Sequence, residues 1–152
     1  MTASPLLRRY RVTRAGAKAS LDEALRARDL LLIAEDSGRV AAMAWVITTR
    51  ALDRSAYLRL LLVDGQDQSR GLGARLVARA EREARASGSR HLALLVTRSN
   101  RRARSFYERL GYARVGELES FVRPGITECL YIKSWRNNPR RPSSIVRSDG
   151  RR

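Results

Sequence analysis

A short glycine-containing segment, residues 68–73, has the residue types best suited to binding an anion. It reads Gln-Ser-Arg-Gly-Leu-Gly and lies between an apolar run, Tyr57 to Val63, and a stretch with helical periodicity. Glycine lets the backbone approach a ligand without a Cβ in the way. The first N–H groups of a helix are unpaired, and the helix dipole favours negative charge there. The segment therefore suits a pyrophosphate, with Arg70 adding a positive charge, although taken alone the spacing is more typical of an ordinary tight turn.

A second cluster downstream adds the specificity that the first one lacks. It contains Asn100, Ala103, the pair Phe106-Tyr107 and the pair Gly111-Tyr112. Together the two clusters resemble the GNAT superfamily of acyl-CoA-dependent N-acetyltransferases. In that family a strand ending in valine leads to Gln/Arg-x-x-Gly-x-Gly/Ala, followed later by Asn, Ala, an aromatic-Tyr pair and Gly-Phe/Tyr. Both motifs are present at the family's usual spacing, between about Tyr57 and Tyr112.

The resemblance implies that acetyl-CoA is the co-substrate. Backbone groups of the buried strand would pair with the pantetheine arm like an added strand, and the amides after it would hold the pyrophosphate. An asparagine side chain at the start of the second helix would also contact the cofactor. The cofactor-binding residues implied in this way are Leu61, Leu62, Val63, Gln68, Ser69, Arg70, Gly71, Leu72, Gly73, Ala74 and Asn100.

Tyr107 occupies the position where the family places its general acid, which protonates the departing CoA thiolate. A phenol suits this task because its ordinary pKa of about 10 keeps it protonated at neutral pH. The alternative interpretation is an aromatic side chain that packs in the core beside Phe106.

The sequence leaves the general base open. Many relatives supply a glutamate from one of the two strands that splay around the thioester, but Tyr57–Val63 has no acid, and the next strand has Leu94 and Leu95. The candidates are ordered water and four glutamates: Glu35, Glu117, Glu119 and Glu128. The only histidine, His91, is expected at the surface, and the only cysteine, Cys129, is expected to be a small buried residue. Contacts to the acceptor are expected from a loop between the closing strands, from Glu117, Glu119, Phe121 and Arg123.

Seven predicted strands and three predicted helices position these residues. The predicted strands are Leu7–Val12, Leu30–Ala34, Val40–Thr48, Tyr57–Val63, His91–Val96, Tyr112–Val115 and Thr127–Ile132. One helix is predicted from a capping box at Ser20–Glu23 to about Arg28, a second from Gly71 to near Gly88, and a third over Asn100–Leu110. The strand–helix–strand order around the glycine segment predicts a crossover with parallel pairing.

Composition places the chain among globular proteins. Its 152 residues are 43% hydrophobic, which suits one domain over residues 1–135. No apolar run is long enough to span a membrane, no secretory signal is visible, and a single cysteine fits a cytoplasmic protein. Residues 136–152, rich in arginine, serine and proline, are predicted to be a disordered basic tail.

The predicted fold is α+β and GNAT-like, with a mixed, mostly antiparallel sheet, flanking helices and splayed parallel strands at the cofactor site. The predicted function is transfer of an acetyl group from acetyl-CoA to a primary amine of a small molecule or peptide, by a monomer or homodimer. A net charge of +16 and arginine stripes at 79, 82, 85 and at 101, 102, 104 keep a nucleic-acid-binding module as a less favoured alternative. A non-catalytic acyl-CoA sensor is the other alternative, because neither splayed strand carries a glutamate.

Overall fold

The computed structural model describes Arg8 and residues 10–135, which form three longer helices, two single helical turns and one six-stranded sheet. The strand order is β1-β2-β3-β4-β6-β5, and all neighbours are antiparallel except β3 and β4. The predicted α+β class, with a mostly antiparallel sheet, is therefore confirmed. The elements are α1 (Arg14–Arg26), β1 (Leu30–Asp36), β2 (Arg39–Thr48), β3 (Ser55–Val63), α2 (Leu72–Ala86), β4 (His91–Thr97), α3 (Arg101–Arg109), β5 (Ala113–Glu119) and β6 (Thr127–Ser134).

The N-terminal region differs from the prediction. The expected strand Leu7–Val12 is wrong, since Arg8 is helical and Tyr10 and Arg11 form a turn. The first helix also starts earlier than its predicted capping box, because the Thr13 hydroxyl accepts from Gly16 N at 3.0 Å and so caps the helix. Ser20 and Glu23 consequently lie inside α1. The helical spacing that the prediction missed is carried by three small side chains and one leucine on the less exposed face: Ala17, Ser20, Leu21 and Ala24.

The hairpin of β1 and β2 is confirmed. Both residues of its turn, Ser37 and Gly38, have positive φ, of 52° and 74°. Two successive residues with positive φ give a turn whose twist matches that of the strands. Before β3 a single turn, Ala51–Arg54, contains three more residues with positive φ.

The crossover β3–α2–β4 is confirmed, and it forms the core. Helix α2 packs its buried side chains Leu76, Val77, Ala80 and Ala84 against one face of the sheet. Helix α3 packs on the same core through Tyr107. Both helices are followed by glycines with φ of 86°, Gly88 and Gly111, as predicted. Cys129 is fully buried in this core, as expected.

The closing strands are longer than predicted. Strand β5 begins at Ala113 and continues to Glu119, so Glu117 and Glu119 lie in the strand and not in the expected loop. The prediction ended the strand early because residues 113–119 do not place their apolar side chains on one face. Strand β5 is an exposed edge strand of the sheet. Within the described residues no helix is long and apolar enough to cross a membrane. The predicted tail, residues 136–152, lies outside the described residues.

Candidate active site

The central feature of the site is an opening between β3 and β4. The two parallel strands pair from Ser55–His91 to Leu58–Leu94 and then separate, although β3 continues to Val63 and β4 to Thr97. On their outer sides both strands stay paired, with β2 and β6. The backbone of Leu61 to Val63 therefore has free hydrogen-bonding groups on the side facing the opening, and an extended ligand could pair with it like a strand.

The segment after β3, residues 69–74, has a row of unpaired backbone N–H groups, and we call it the amide segment. Gly71 caps α2 with φ of +78°, and Ser69 has φ of +67°. None of the backbone N–H groups from Ser69 to Ala74 has an acceptor in the described part of the chain. Amides gathered at a helix N-terminus form an anion site, because their partial charges and the helix dipole act together. The geometry suits a phosphate or pyrophosphate.

The two glycines of this segment differ in their surroundings. A Cβ added to Gly73 would lie 3.4 Å from Phe106 Cζ and 3.6 Å from Val63 Cγ2, so a small residue is needed there for α2 to pack against β3 and α3. A Cβ added to Gly71 would meet nothing within 4 Å, so the space beside this position is open.

Two arginines flank the amides, and they are paired differently. Arg70 binds the buried carboxylate of Asp67 at 2.8 Å and that of Asp36 at 3.2 Å. Asp67 also accepts a hydrogen bond from Arg39 at 2.7 Å, and this bond, with that from Arg70, lowers the pKa of Asp67 below its ordinary value. The positive charge of Arg70 is therefore largely balanced by acids that hold the loop.

Arg102, on α3, reaches the same loop from the opposite side. It donates to Gln68 Oε1 at 2.8 Å and to Ser69 Oγ at 3.3 Å, and no acidic group pairs with it in the described residues. Sequence analysis places Arg102 only in a helical arginine stripe. These hydrogen bonds join the start of α3 to the amide segment. Because Arg70 is paired with acids and Arg102 is not, the unbalanced positive charge beside the segment comes from Arg102.

Asn100 and Tyr107 lie on α3 at different depths. Asn100 is the N-cap residue, and its Oδ1 accepts from Ala103 N at 3.1 Å, which leaves its side-chain amino group as a donor. Tyr107 is 7% exposed and packs edge-on against Phe106 and Tyr112, with ring centroids 5.0 and 5.6 Å away. Its hydroxyl has no hydrogen bond to any described residue, and burial raises its pKa well above 10. Burial disfavours the phenolate, so the hydroxyl stays protonated at neutral pH.

A buried carboxylate lies on the other side of β4. Glu128 on β6 is opposite Thr97, is 1% exposed and accepts a short hydrogen bond from Tyr10. Thr97 Oγ1 lies 2.9 Å from the Tyr10 hydroxyl and 3.5 Å from Glu128 Oε1. No cation pairs with Glu128 among the residues described. Burial raises the pKa of nearby Tyr57 on β3, and the negative charge of Glu128 adds to that effect.

The other three candidate bases are less suitable. Glu117 forms ion pairs with Arg114 and with Arg98, the latter at 3.5 Å, so its charge is neutralised. Glu119 is exposed on the edge strand, and Glu35 lies on β1, two strands away from the opening. His91 is at the opposite end of β4, where it contacts Ser134 and Asp53. Within the described residues no group of His, Cys, Asp and Glu could hold a metal ion.

Sequence reasoning missed Tyr10 and Thr97 as site residues. Neither belongs to a motif, and Tyr10 reaches Glu128 from 118 positions away in the chain. Of the expected acceptor contacts, Phe121 is 67% exposed and lies beyond the end of β5. No local sequence signal could have identified the contact between Tyr10 and Glu128, because the two residues lie so far apart in the chain.

Comparison with solved structures supports the fold. A protein of Desulfovibrio desulfuricans, named as a member of the GNAT family of acetyltransferases, is 27% identical, with a TM-score of 0.69 over 78% of each chain. An aminoglycoside 6'-N-acetyltransferase complexed with coenzyme A is 18% identical, with a TM-score of 0.72 over 85% of this chain and 84% of that one. A ribosomal-protein-alanine N-acetyltransferase from Brucella melitensis is 20% identical, with a TM-score of 0.68 over 82% and 80%.

Comparison with protein families gives the assignment. No curated protein matches the chain in sequence. The model of the acetyltransferase (GNAT) domain matches residues 11–133, which include the opening, the amide segment, Tyr107 and Glu128. Since this match spans most of the sequence, the chain belongs to the GNAT family of acetyltransferases.

Proposed function

We propose that the protein is an N-acetyltransferase in which a primary amine attacks the thioester of acetyl-CoA directly. The observation that supports this most is the opening between β3 and β4, bordered by the unpaired amides of Ser69 to Ala74. Acetyl-CoA, the co-substrate of the family, has an extended arm and a pyrophosphate that match these two features.

The cofactor would lie along the opening. Its pantetheine arm would pair with the backbone of Leu61, Leu62 and Val63, as a strand added to β3. The pyrophosphate would bind the amides from Ser69 to Ala74, and Arg102 would add a charge beside Gln68 and Ser69. The side-chain amino group of Asn100 would donate to the arm as it passes the start of α3.

Two residues would move the protons, Glu128 on β6 and Tyr107 on α3. Glu128 would take a proton from the attacking amine, directly or through one water, as a carbon–nitrogen bond forms at the thioester carbon. When the carbon–sulfur bond breaks, Tyr107 would donate its proton to the thiolate. Tyr107 suits the acid role because a phenol is protonated at neutral pH, and Glu128 suits the base role because it has hydroxyl partners and no ion pair among the described residues.

Residues 1–135 would act as one catalytic unit, as a monomer or homodimer in the cytoplasm, with the tail dispensable for catalysis. The acceptor would be a small-molecule or peptide amine. The basic surface would disfavour polyamines, because their charge has the same sign as the protein's.

Acetyl-CoA is expected to stabilise the fold. A ligand at 100 times its Kd adds about 2.7 kcal/mol, which for a chain of this size raises Tm by roughly 5–10 °C. Thermal unfolding with acetyl-CoA, with dephospho-CoA and with NAD is the measurement. CoA compounds should shift Tm and NAD should not, because NAD has no pantetheine arm to pair with β3. An equal shift with NAD would contradict the cofactor assignment.

Tyr107→Phe is expected to lower kcat tenfold to a hundredfold while the affinity for acetyl-CoA stays nearly constant. General acids contribute about 10²–10⁴-fold, and a thiolate is already a fair leaving group, so the lower end applies. Phe keeps the edge-on packing with Phe106 and Tyr112, so the change isolates the hydroxyl. Steady-state rates and calorimetry on both forms measure it.

Two other results for this variant would reassign the residue. A wild-type rate, with chemistry limiting, would remove Tyr107 from the mechanism. A parallel loss of rate and affinity would make it a residue that positions the cofactor.

A further inference from the structure

A second cleft, beside the start of α3, is lined mainly by arginines. It has a volume of about 520 Å³ and lies between the start of α3 and the edge strand β5. We call it the arginine cleft, and its lining residues are Arg98, Ser99, Arg101, Arg104, Arg114 and Glu117. Four guanidinium groups therefore face one space that contains a single acid.

The charges in the arginine cleft are not balanced by the protein. Glu117 pairs with Arg98 and Arg114, which accounts for the only carboxylate. Arg101 and Arg104 have no ion pair in the described residues. Both lie in the first turn of α3, where the helix dipole is also positive and no acidic residue is present. Like charges held this close repel one another unless an anion joins them.

Arg104 provides a second, independent observation. Its Nε is shielded from solvent and has no acceptor in the described part of the protein. A buried donor without a partner is unfavourable, and such donors are rare in folded proteins. An oxyanion in the cleft would pair with the terminal nitrogens of the same guanidinium, whose fork matches a phosphate or carboxylate well.

The position of the cleft indicates which molecule would carry the anion. A smaller cleft of about 250 Å³ adjoins it and shares Arg98 and Ser99. This smaller cleft also reaches Thr97, which lies opposite Glu128 and contacts Tyr10. The two clefts therefore share a wall, and the smaller one extends to Thr97, the neighbour of the proposed base. Arg102, which faces the amide segment, lies on a different side of α3 from Arg101 and Arg104, so the cofactor phosphates have a separate partner.

We infer that the acceptor is an amine that also carries an oxyanion, a phosphate or a carboxylate, and that the arginine cleft binds this group. The inference rests on the proposed function, since Glu128 fixes where the amine lies. The cleft would select the acceptor by charge, and the smaller cleft would set the distance between the amine and the anion.

The test compares acceptors that differ only in the anionic group. Aminoalkyl phosphates, amino acids with a terminal amine and the corresponding amino alcohols, each in several chain lengths, are titrated by calorimetry into protein saturated with CoA. The anionic compound of the best length should bind at least about tenfold more tightly than the alcohol, and less so at high salt. The phosphate and carboxylate series separate the two sources of the anion. Because binding is measured without turnover, failure of acetyl transfer would not affect this result.

Matched variants assign any preference to the cleft. In Arg101→Gln/Arg104→Gln the preference for the anionic compound should fall below about threefold. Arg101→Gln alone, at an exposed position, should give a partial loss and serves if the double variant does not fold. Arg82→Gln, an exposed arginine on α2, should keep the full preference.

Three results would overturn the inference. The first is equal binding of anionic and neutral amines by the wild type, and the second is a preference that survives in the double variant. The third is a double variant that no longer distinguishes CoA from dephospho-CoA, because the cleft would then bind the 3'-phosphate of the cofactor.

Discussion

Glu128→Gln is expected to lower kcat by about 10²–10³-fold at neutral pH, within the range that general base catalysis contributes. Glutamine has the same shape and can still accept the hydrogen bond from Tyr10, but it cannot take a proton from the amine. The affinity for acetyl-CoA should not change, because Glu128 lies across β4 from the opening, on β6. Rates and calorimetry on the same preparation separate the two effects.

The pH dependence gives this prediction a sharper readout. An alkyl amine has a pKa of about 10.4, so the fraction already deprotonated rises with pH and the need for a base falls. The ratio of wild-type to variant rates should therefore shrink as the pH is raised from 7 towards 10. A merely structural role for Glu128 would leave that ratio constant.

Three further glutamate variants complete the experiment. Glu23→Gln, at an exposed position of α1, is the matched control and should have the wild-type rate. If instead Glu117→Gln or Glu119→Gln causes the loss and Glu128→Gln does not, the base is on β5 and the assignment is wrong. If no variant has an effect while CoA is still released, ordered water suffices as the base.

Whether a feature could be predicted from the sequence depends on how far apart in the chain its contacting residues lie. The crossover, the amide segment and α3 are encoded locally, by a buried apolar run, by Gly71 and by helical spacing that ends at Gly88 and Gly111. The first helix was mispredicted because Thr13 and Ser20 are both good N-cap residues, and only packing of the small face of α1 decides between them.

The candidate base could not be predicted for a different reason. Its place in the site depends on the register of β6 against β4, which sets Glu128 opposite Thr97, and on a turn at Tyr10 far away in the chain. The two strands that border the opening, β3 and β4, contain no acid, and Glu128 lies on β6. The arginine cleft is similar, because Arg98 and Arg114 meet Arg101 and Arg104 only after β5 pairs with β6.

Gly71→Val is expected to raise the Kd for acetyl-CoA about a hundredfold, which corresponds to about 2.7 kcal/mol of binding free energy. The valine side chain would occupy the open space at Gly71, within the segment whose amides are proposed to bind the pyrophosphate. A β-branched residue also resists φ of +78°, so the loop would lose stability or change shape. Calorimetric titration and thermal unfolding of the same variant measure both consequences.

The backbone cost alone can be measured at the other end of the same helix. Gly88 has φ of +86°, and a Cβ added there also meets nothing within 4 Å, so Gly88→Val carries a similar conformational cost of roughly 1–3 kcal/mol. The two variants should unfold at similar temperatures, because neither side chain displaces a packed neighbour. Only Gly71→Val should weaken acetyl-CoA binding, since only Gly71 borders unpaired amides. Equal affinities for the two folded variants would mean that the segment is an ordinary turn, and the pyrophosphate would then have to bind elsewhere. A hundredfold loss of acetyl-CoA affinity confined to Gly71→Val would show that the amide segment binds the cofactor and that lower fold stability is not the cause of the loss.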